Sequence, residues 1–354
     1  MNTLIVLGEG LARYTGWWVL ALLRWRDPKA PMGPRRLAVL VAGMPLFLAL
    51  QLLHAVCLLL DEILFPRYRG VSLAGSIVIT GVPRSGTTFL HRTLAADTTH
   101  YTTLTTWEAL LAPSIIQRRL VRLLARLDRL LGRPMGRTMI LALPSANGLQ
   151  QLGDFDRRVP PRRRQRLLRF YHACLQRHIY ADGGRRRLLC KNAAFGSWMG
   201  SLRTILPEAH FIVCVRTPEH ALSSQISAVA AAKPLFGVAT GSPAWQRLFL
   251  DLYAQTLDHL AALLGSWRYG TVAIVDTAAL RRRPGPTIRA VMARLGIPET
   301  PSVTQAIDGL GRSGASSHRH SVADMALDRE VLHRRLEPGY RRLISLSHCV
   351  GTST

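Results

Sequence analysis

The chain has 354 residues, enough to bury one large core, and 48% of them are hydrophobic. It carries 46 lysines and arginines against 21 acidic residues, a formal net charge of +25. This excess predicts an anionic partner such as a nucleotide, lipid head groups or an acidic substrate, although a general preference for arginine explains part of it. Generic nucleic-acid binding is not expected, because no arginine–aromatic alternation or reading-helix motif is present. The five cysteines are widely spaced without a CxxC pair, which is typical of a reduced compartment and indicates neither a disulfide framework nor a zinc site.

The first 60 residues are mostly apolar, with a cationic interruption. Met1–Leu23 is a poor signal peptide, because it has neither a basic start nor an A-x-A cleavage site. Residues 24–36 are cationic, and Leu37–Leu60 then contains no formally charged residue apart from a histidine. Roughly 20 apolar residues suffice to span a bilayer. Because Gly43 and Pro45 are expected to break this stretch, a spanning helix, an interfacial helix and a helix packed on the main domain all stay open.

The pattern changes near residue 70, which predicts an N-terminal helical, membrane-associated segment at 1–70 and a main domain at 71–354. From there, short β-branched runs alternate with helical patterns. Such alternation predicts an α/β fold of the P-loop type, with three layers around a central parallel sheet. The expected strands are 76–80, 188–190, 210–215 and 271–275, and the expected helices are 87–96, 118–131, 166–180, 218–232 and 245–264.

Gly81 and Gly86 have the G-x-x-x-x-G spacing between a predicted strand and a predicted helix. In this context, backbone N–H groups and a helix N-terminus converge on an anion. A nucleoside triphosphatase would continue with Gly-Lys, whereas this loop has no lysine and its cation is Arg84. The pattern therefore favours a magnesium-independent donor over ATP. Further donors are expected from three hydroxyl side chains, those of Ser85, Thr87 and Thr88.

The segment around this loop resembles the 5′-phosphosulfate loop of sulfotransferases that use 3′-phosphoadenosine 5′-phosphosulfate (PAPS). It is most similar to the bacterial group related to tyrosylprotein sulfotransferases, whose general form is a hydrophobic strand followed by G-x-P-[RK]-S-G-T-T. The resemblance implies that PAPS is the co-substrate and that no metal is required. It implies that the loop residues bind the 5′-phosphosulfate, namely Pro83, Arg84, Ser85, Gly86, Thr87 and Thr88.

Two further elements support the resemblance. Arg216 ends a predicted strand, and Ser224 follows eight residues later on the next helix, which is the family's spacing for the 3′-phosphate site. Lys191 also ends a strand and resembles the family's strand-terminal lysine, so it is expected to stabilise charge as it develops in the transition state. Residues 316–327 resemble the segment that closes over the nucleotide, with His320 where the family more often has tyrosine.

The general base is assigned by position. The related tyrosylprotein enzymes use a glutamate shortly after the loop helix, and Glu108 occupies that region, with His91 and His220 as the other candidates. Asp154 is a candidate for shaping the acceptor pocket. Glu108, Lys191 and Arg84 are thus the expected catalytic residues.

The predicted function is transfer of a sulfuryl group from PAPS to a hydroxyl or amine of a small-molecule, lipid or glycan acceptor. A single membrane span would send the main domain outside, away from cytosolic PAPS. We therefore expect an interfacial or hairpin arrangement, on the cytoplasmic side, through residues 1–64. Two alternatives stay open, a P-loop kinase or nucleotide hydrolase and a catalytically silent, membrane-associated nucleotide-binding protein.

Overall fold

A computed structural model describes residues 2–26, 32–104, 108, 112–131, 154–230, 243–267, 270–312 and 329–347. Its centre is a five-stranded sheet with the order β2-β3-β1-β4-β5, in which every neighbouring pair is parallel. The expected α/β fold with a central parallel sheet is therefore confirmed. The strands are β1 Ile77–Gly81, β2 Tyr101–Thr103, β3 Arg187–Lys191, β4 His210–Val215 and β5 Val272–Asp276.

Helices cover both faces of the sheet, and three further helices lie at the N-terminus. The N-terminal helices are α1 Asn2–Leu23, α2 Pro34–Ala38 and α3 Met44–Leu64. Those of the main domain are α4 Thr87–Leu94, α5 Ile115–Leu131, α6 Phe155–Arg158, α7 Pro161–Ala181, α8 Met199–Ile205, α9 Pro218–Ala230, α10 Pro243–Leu264, α11 Thr277–Arg282, α12 Pro284–Arg294, α13 Pro301–Asp308 and α14 Arg329–Ser347.

The strands are apolar on both sides because each side faces its own hydrophobic cluster. In β4, Phe211 and Val213 belong to the cluster shared with α7, α8, α10 and α14, whereas Ile212 and Cys214 belong to the one shared with α4 and α12. This alternation follows from the period of two along a strand. It yields the three-layer arrangement and brings the carboxyl ends of β1, β3 and β4 to one edge.

The N-terminal apolar stretch forms a continuous helix rather than a broken one. Residues between Pro34 and Leu64 are helical throughout, with a π-helical turn at Val39–Gly43 joining α2 to α3. The amide of Met44 donates to the carbonyl of Val39, five residues back. Pro45 has no amide hydrogen, so a wider turn just before it accommodates the proline without ending the helix. The expected break at Gly43 and Pro45 is therefore wrong. The division at residue 70 stays a prediction.

The basic amphipathic helix also differs from the sequence pattern. It begins at Ile115, three residues earlier than expected, and Arg118 is fully buried. Leu120 and Leu123, two members of its apolar stripe, are instead 53% and 54% exposed. Arg118 is buried because it has polar partners inside the protein, namely Glu108, the carbonyl of Ala112 and His178.

The close approach of β1 and β4 predicts that position 81 must be a glycine. This residue has φ +138°, and a Cβ placed on it would lie 1.9 Å from the carbonyl oxygen of Cys214. We expect Gly81→Ala to destabilise the fold by about 3 kcal/mol or more, because backbone rather than a side chain must shift. Gly183→Ala is the matched control, since Gly183 also has a positive φ but meets nothing within 4 Å. Thermal unfolding of both variants checks this; equal losses would contradict the steric explanation.

Candidate active site

The phosphate-type loop lies between the end of β1 and the start of α4. Arg84 has φ 66°, so it is a non-glycine residue in the left-handed region, and Gly86 at the start of α4 has φ 82°. A left-handed arginine costs about 1–2 kcal/mol, and such strain concentrates at functional sites. The loop is thereby bent so that it lies at the N-terminus of α4, which favours anion binding.

Hydroxyl groups of the loop itself and of two other helices form hydrogen bonds with the loop backbone. The Ser85 hydroxyl donates to the carbonyl of Val82 at 2.6 Å, so its proton serves the loop itself. The Tyr253 hydroxyl lies 2.9 Å from the carbonyl oxygen of Pro83, and the Thr277 hydroxyl lies 2.7 Å from the carbonyl oxygens of both Ser85 and Val215. Tyr253 and Thr277 were not predicted, because a single tyrosine and a single threonine in distant helices carry no local motif.

The structure brings the two predicted anion sites into direct contact. The Arg84 Nε donates to the Ser224 hydroxyl at 3.0 Å, across 140 residues of sequence. Arg216 donates from its guanidinium to the carbonyl oxygen of Arg84 at 3.2 Å. Because β1 and β4 are neighbours with Gly81 opposite Cys214, their ends place the loop beside Arg216. The expected 5′ and 3′ groups of one nucleotide would therefore meet one continuous cationic surface.

Three guanidinium groups contribute to this surface. Burial lowers the pKa of Arg216, and the neighbouring charges of Arg281 and Arg84 lower it further. Within the described ranges, none of these three arginines forms an ion pair with a carboxylate. Mutually repelling cations without an acidic partner favour an external anion. Arg281 was not predicted, because it lies in a run of three arginines that resembles ordinary surface composition.

Lys191 lies at the same edge, at the end of β3. Its ammonium group donates to the Thr88 hydroxyl at 3.1 Å, which joins it to the first turn of α4. Burial lowers the pKa of Lys191, and the charge of Arg92 lowers it further. Burial lowers the pKa of His91, and the nearby charge of Lys191 lowers it further. The expected Lys191 is thus brought to the loop, as the sequence pattern requires.

Glu108 occupies a different environment. Its side chain is buried and its carboxylate lies 3.8 Å from Arg118, which donates from Nε to the carbonyl of Ala112 at 3.0 Å. Arg118 also contacts His178, whose Nε2 is 3.0 Å from the Thr102 hydroxyl. Burial and then the Arg118 charge lower the pKa of His178 to about 4, so this imidazole is neutral at physiological pH.

A cavity of about 270 Å³ adjoins Glu108 beside the edge strand β2. Among the described residues that line it are Thr98, Asp182 and Arg186, and none belongs to the loop. The structure therefore brings Arg84, Arg216, Ser224, Lys191 and the loop threonines together, whereas Glu108 lies beside Arg118 of α5.

The remaining sequence candidates lie apart or outside the described residues. His220 is exposed on α9, and Asp154 pairs with Arg158 at 3.2 Å. Residues 316–327, including His320, lie outside the described residues. In the part of the chain that the structure describes, no group of three or more His, Cys, Asp or Glu residues could hold a metal ion.

The chain belongs to the sulfotransferase family, whose model matches residues 76–301. The fold is similar to that of sulfotransferase STF1 from Mycobacterium tuberculosis H37Rv, with a TM-score of 0.64 and 17% identity, covering 93% of this chain and 92% of that one. It is also similar to sulfotransferase STF9 from Mycobacterium avium, with a TM-score of 0.62 and 14% identity, covering 90% and 87% of the two chains. No curated protein sequence matches the chain significantly. The protein is a transferase of sulfuryl groups.

Thr277 provides a test of how the loop is supported. We expect Thr277→Val to lower the free energy of unfolding by about 1–3 kcal/mol, because the carbonyls of Ser85 and Val215 lose the single hydroxyl donor that they share. It should also reduce sulfuryl transfer, since one of those carbonyls belongs to Ser85. Thr277→Ser keeps the hydroxyl and should resemble the wild type in thermal unfolding and turnover. If the serine variant were as impaired as the valine variant, the hydroxyl would not be the supporting group.

Proposed function

We propose that the sulfuryl donor is PAPS and that its two phosphate-bearing ends are bound by one connected set of residues. The observation that carries this proposal is the pair of contacts joining Arg84 to Ser224 and Arg216 to Arg84. A donor with a single anionic end would need only the loop. A second, adjacent arginine–serine pair supports a ligand with a further phosphate, as on the 3′ position of a nucleotide.

In this proposal the loop binds the 5′-phosphosulfate through its backbone amides, Arg84, Thr87 and Thr88. Arg216 and Ser224 bind the 3′-phosphate, because a planar guanidinium and a hydroxyl complement phosphate oxygens. Ser224 currently accepts from Arg84, so its own proton is available to a phosphate oxygen. We add Arg281 as a third cation at the 3′ side, supported by its effect on Arg216.

Chemistry then requires a base and a stabilised leaving group. We infer that Glu108 accepts the proton of the acceptor hydroxyl or amine. At the same time, the oxygen or nitrogen of the acceptor forms a bond to sulfur. The bond between sulfur and the bridging phosphate oxygen breaks, and Lys191 with the loop amides stabilises the charge left on that phosphate. The products are the sulfated acceptor and adenosine 3′,5′-bisphosphate. Arg118, 3.8 Å away, would hold the Glu108 carboxylate in position.

The acceptor class follows from what surrounds Glu108. The helix that supplies Arg118, the neighbour of the proposed base, also exposes Leu120 and Leu123. We infer a small-molecule acceptor with an apolar part, and favour a lipid alcohol over a glycan. Residues 1–64 are proposed to associate the chain with the cytoplasmic side of a membrane, where PAPS is available. One helix, Arg36–Leu64, is long and apolar enough to cross a bilayer.

Arginine-to-alanine variants test the donor assignment. We expect Arg216→Ala and Arg281→Ala to weaken adenosine 3′,5′-bisphosphate binding at least about tenfold each, because a charged hydrogen bond contributes about 1.5–3 kcal/mol. Arg282→Ala is the matched control, since Arg282 is the exposed neighbour on the same short helix. Isothermal calorimetry measures all three affinities. Unchanged binding by Arg216→Ala would refute the 3′-phosphate site, and unchanged binding by Arg281→Ala would refute only its participation.

The base is tested separately from donor binding. We expect Glu108→Gln to lower the rate of sulfuryl transfer about 10²–10⁴-fold, because general-base catalysis typically contributes that much. Bisphosphate affinity should stay within about twofold of the wild type, since the described lining of the cavity beside Glu108 includes no loop residue. Calorimetry and turnover with a responsive acceptor alcohol are measured on the same preparation. Full activity in Glu108→Gln would exclude Glu108 as the general base and favour His91 or His220.

A further inference from the structure

The N-terminal helices form an antiparallel hairpin. Residues of increasing number in α1 contact residues of decreasing number in α3 and in the π-helical turn before it. Thr3 donates to Glu62 at 2.9 Å near the base of the hairpin. Towards its far end, Tyr14 donates to the carbonyl of Met44 at 2.7 Å, and Trp18 donates to the carbonyl of Leu40 at 2.8 Å.

Within the described residues, the polar contacts between this hairpin and the main domain lie at the base of the hairpin. Asp61, fully buried, accepts from the amides of Ile115 and Ile116 at 2.9 and 3.3 Å, and so caps the start of α5. It also lies 3.4 Å from the buried guanidinium of Arg177. On α1, the last described polar contact with the main domain is that of Glu9 with α7. The hairpin beyond Glu9 therefore projects from a rigid attachment.

The projecting part exposes many large apolar side chains. In the most apolar window of the helix Arg36–Leu64, only 11% of the residues are buried, although the mean hydropathy is 2.0. A core helix of a soluble domain would be mostly buried. The exposed large apolar side chains beyond the attachment are Leu11, Trp17, Val19, Leu20, Leu22, Leu23, Trp25, Leu37, Val39, Val41, Leu46, Leu52 and Leu53.

Helix α5 extends this apolar surface into the main domain. Ser114, just before it, contacts Cys57 and Asp61, and Gln117 contacts His54 at 2.8 Å. Residues of increasing number along α5 thus contact residues of decreasing number along α3, so the two helices run antiparallel. Leu120 and Leu123 follow one and two turns later and are more than half exposed.

The length of the projection decides between crossing a membrane and lying in it. From residue 10 to Leu23, α1 extends about 21 Å at 1.5 Å per residue, whereas the hydrocarbon core of a bilayer is about 30 Å thick. The described residues at the tip, 24–26 and 32–36, carry four arginines and no carboxylate. An upright hairpin would leave these cations inside hydrocarbon, which is costly. Lying in the plane of the interface places them among the head groups.

We propose that the hairpin, together with the Leu120–Leu123 face of α5, inserts into one leaflet of an anionic bilayer and does not cross it. The cationic tip and the exposed tryptophans Trp17 and Trp25 fit head groups and the interface respectively. A second copy of the chain fits less well, because two tips of the same charge would be brought together. This proposal specifies how residues 1–64 associate with the membrane, and it does not depend on the identity of the sulfuryl donor.

Vesicle binding tests the composition of the surface. The purified full-length chain is titrated with vesicles of 70% phosphatidylcholine and 30% phosphatidylglycerol, and the bound fraction is measured by flotation. We expect the double variant Leu120→Ser, Leu123→Ser to bind about tenfold more weakly, because two half-exposed leucines no longer enter the bilayer. Val331→Ser is the control, since Val331 is an exposed apolar residue of α14. Equal binding by the double variant and the wild type would remove α5 from the surface.

Labelling with a membrane-impermeant maleimide tests the single-leaflet insertion. A cysteine is placed at the tip, Arg26→Cys, or on the exposed face of α14, Arg334→Cys, with the parent chain as the background. We expect both positions to react in inverted membrane vesicles and neither in intact spheroplasts. Labelling of Arg26→Cys from the side opposite to Arg334→Cys would show a crossing hairpin. A soluble dimer in light scattering, without vesicle binding, would show that a second copy covers the surface instead.

Discussion

The hydrogen bond from Arg216 to the carbonyl of Arg84 joins the two strands on which the whole site depends. It forms because β1 and β4 are adjacent and parallel, and because Gly81 lets their backbones approach where any side chain would collide with Cys214. The left-handed Arg84 then directs its guanidinium to Ser224 on the helix after β4. The proposed recognition of a donor at two separate anionic groups would thus depend on one contact between neighbouring strand ends.

Much of this arrangement could be predicted from the sequence because it is local. The loop from Gly81 to Thr88 and the pair Arg216 and Ser224 have spacings that follow from a strand followed by a helix. Four of the five strands were predicted for the same reason. The short strand β2 was not, since three residues with the sequence Tyr-Thr-Thr give too little periodicity. Helices after β5 were missed because their proline- and arginine-rich sequence resembles loops.

Other features are set by tertiary structure and could not be predicted from spacing. Tyr253 and Thr277 reach the loop from helices that are distant in sequence, so their roles depend on how those helices pack. Arg118 meets Glu108 and His178 on the inner side of α5, and Leu120 and Leu123 are turned outward. Amphipathic periodicity reveals that a helix has two faces, but here the protein buries the polar one. The same reversal leaves Leu120 and Leu123 exposed on the helix that contacts the proposed base.

The central claim is that two adjacent anion sites read one nucleotide at both phosphate-bearing ends. Calorimetry with the wild-type chain, comparing adenosine 3′,5′-bisphosphate with adenosine 5′-phosphate, tests it most directly. If Arg216, Ser224 and Arg281 bind the 3′-phosphate, the bisphosphate should bind at least about 100-fold more tightly, as two charged hydrogen bonds of about 1.5 kcal/mol each would give. Equal affinity for the two nucleotides would contradict the account.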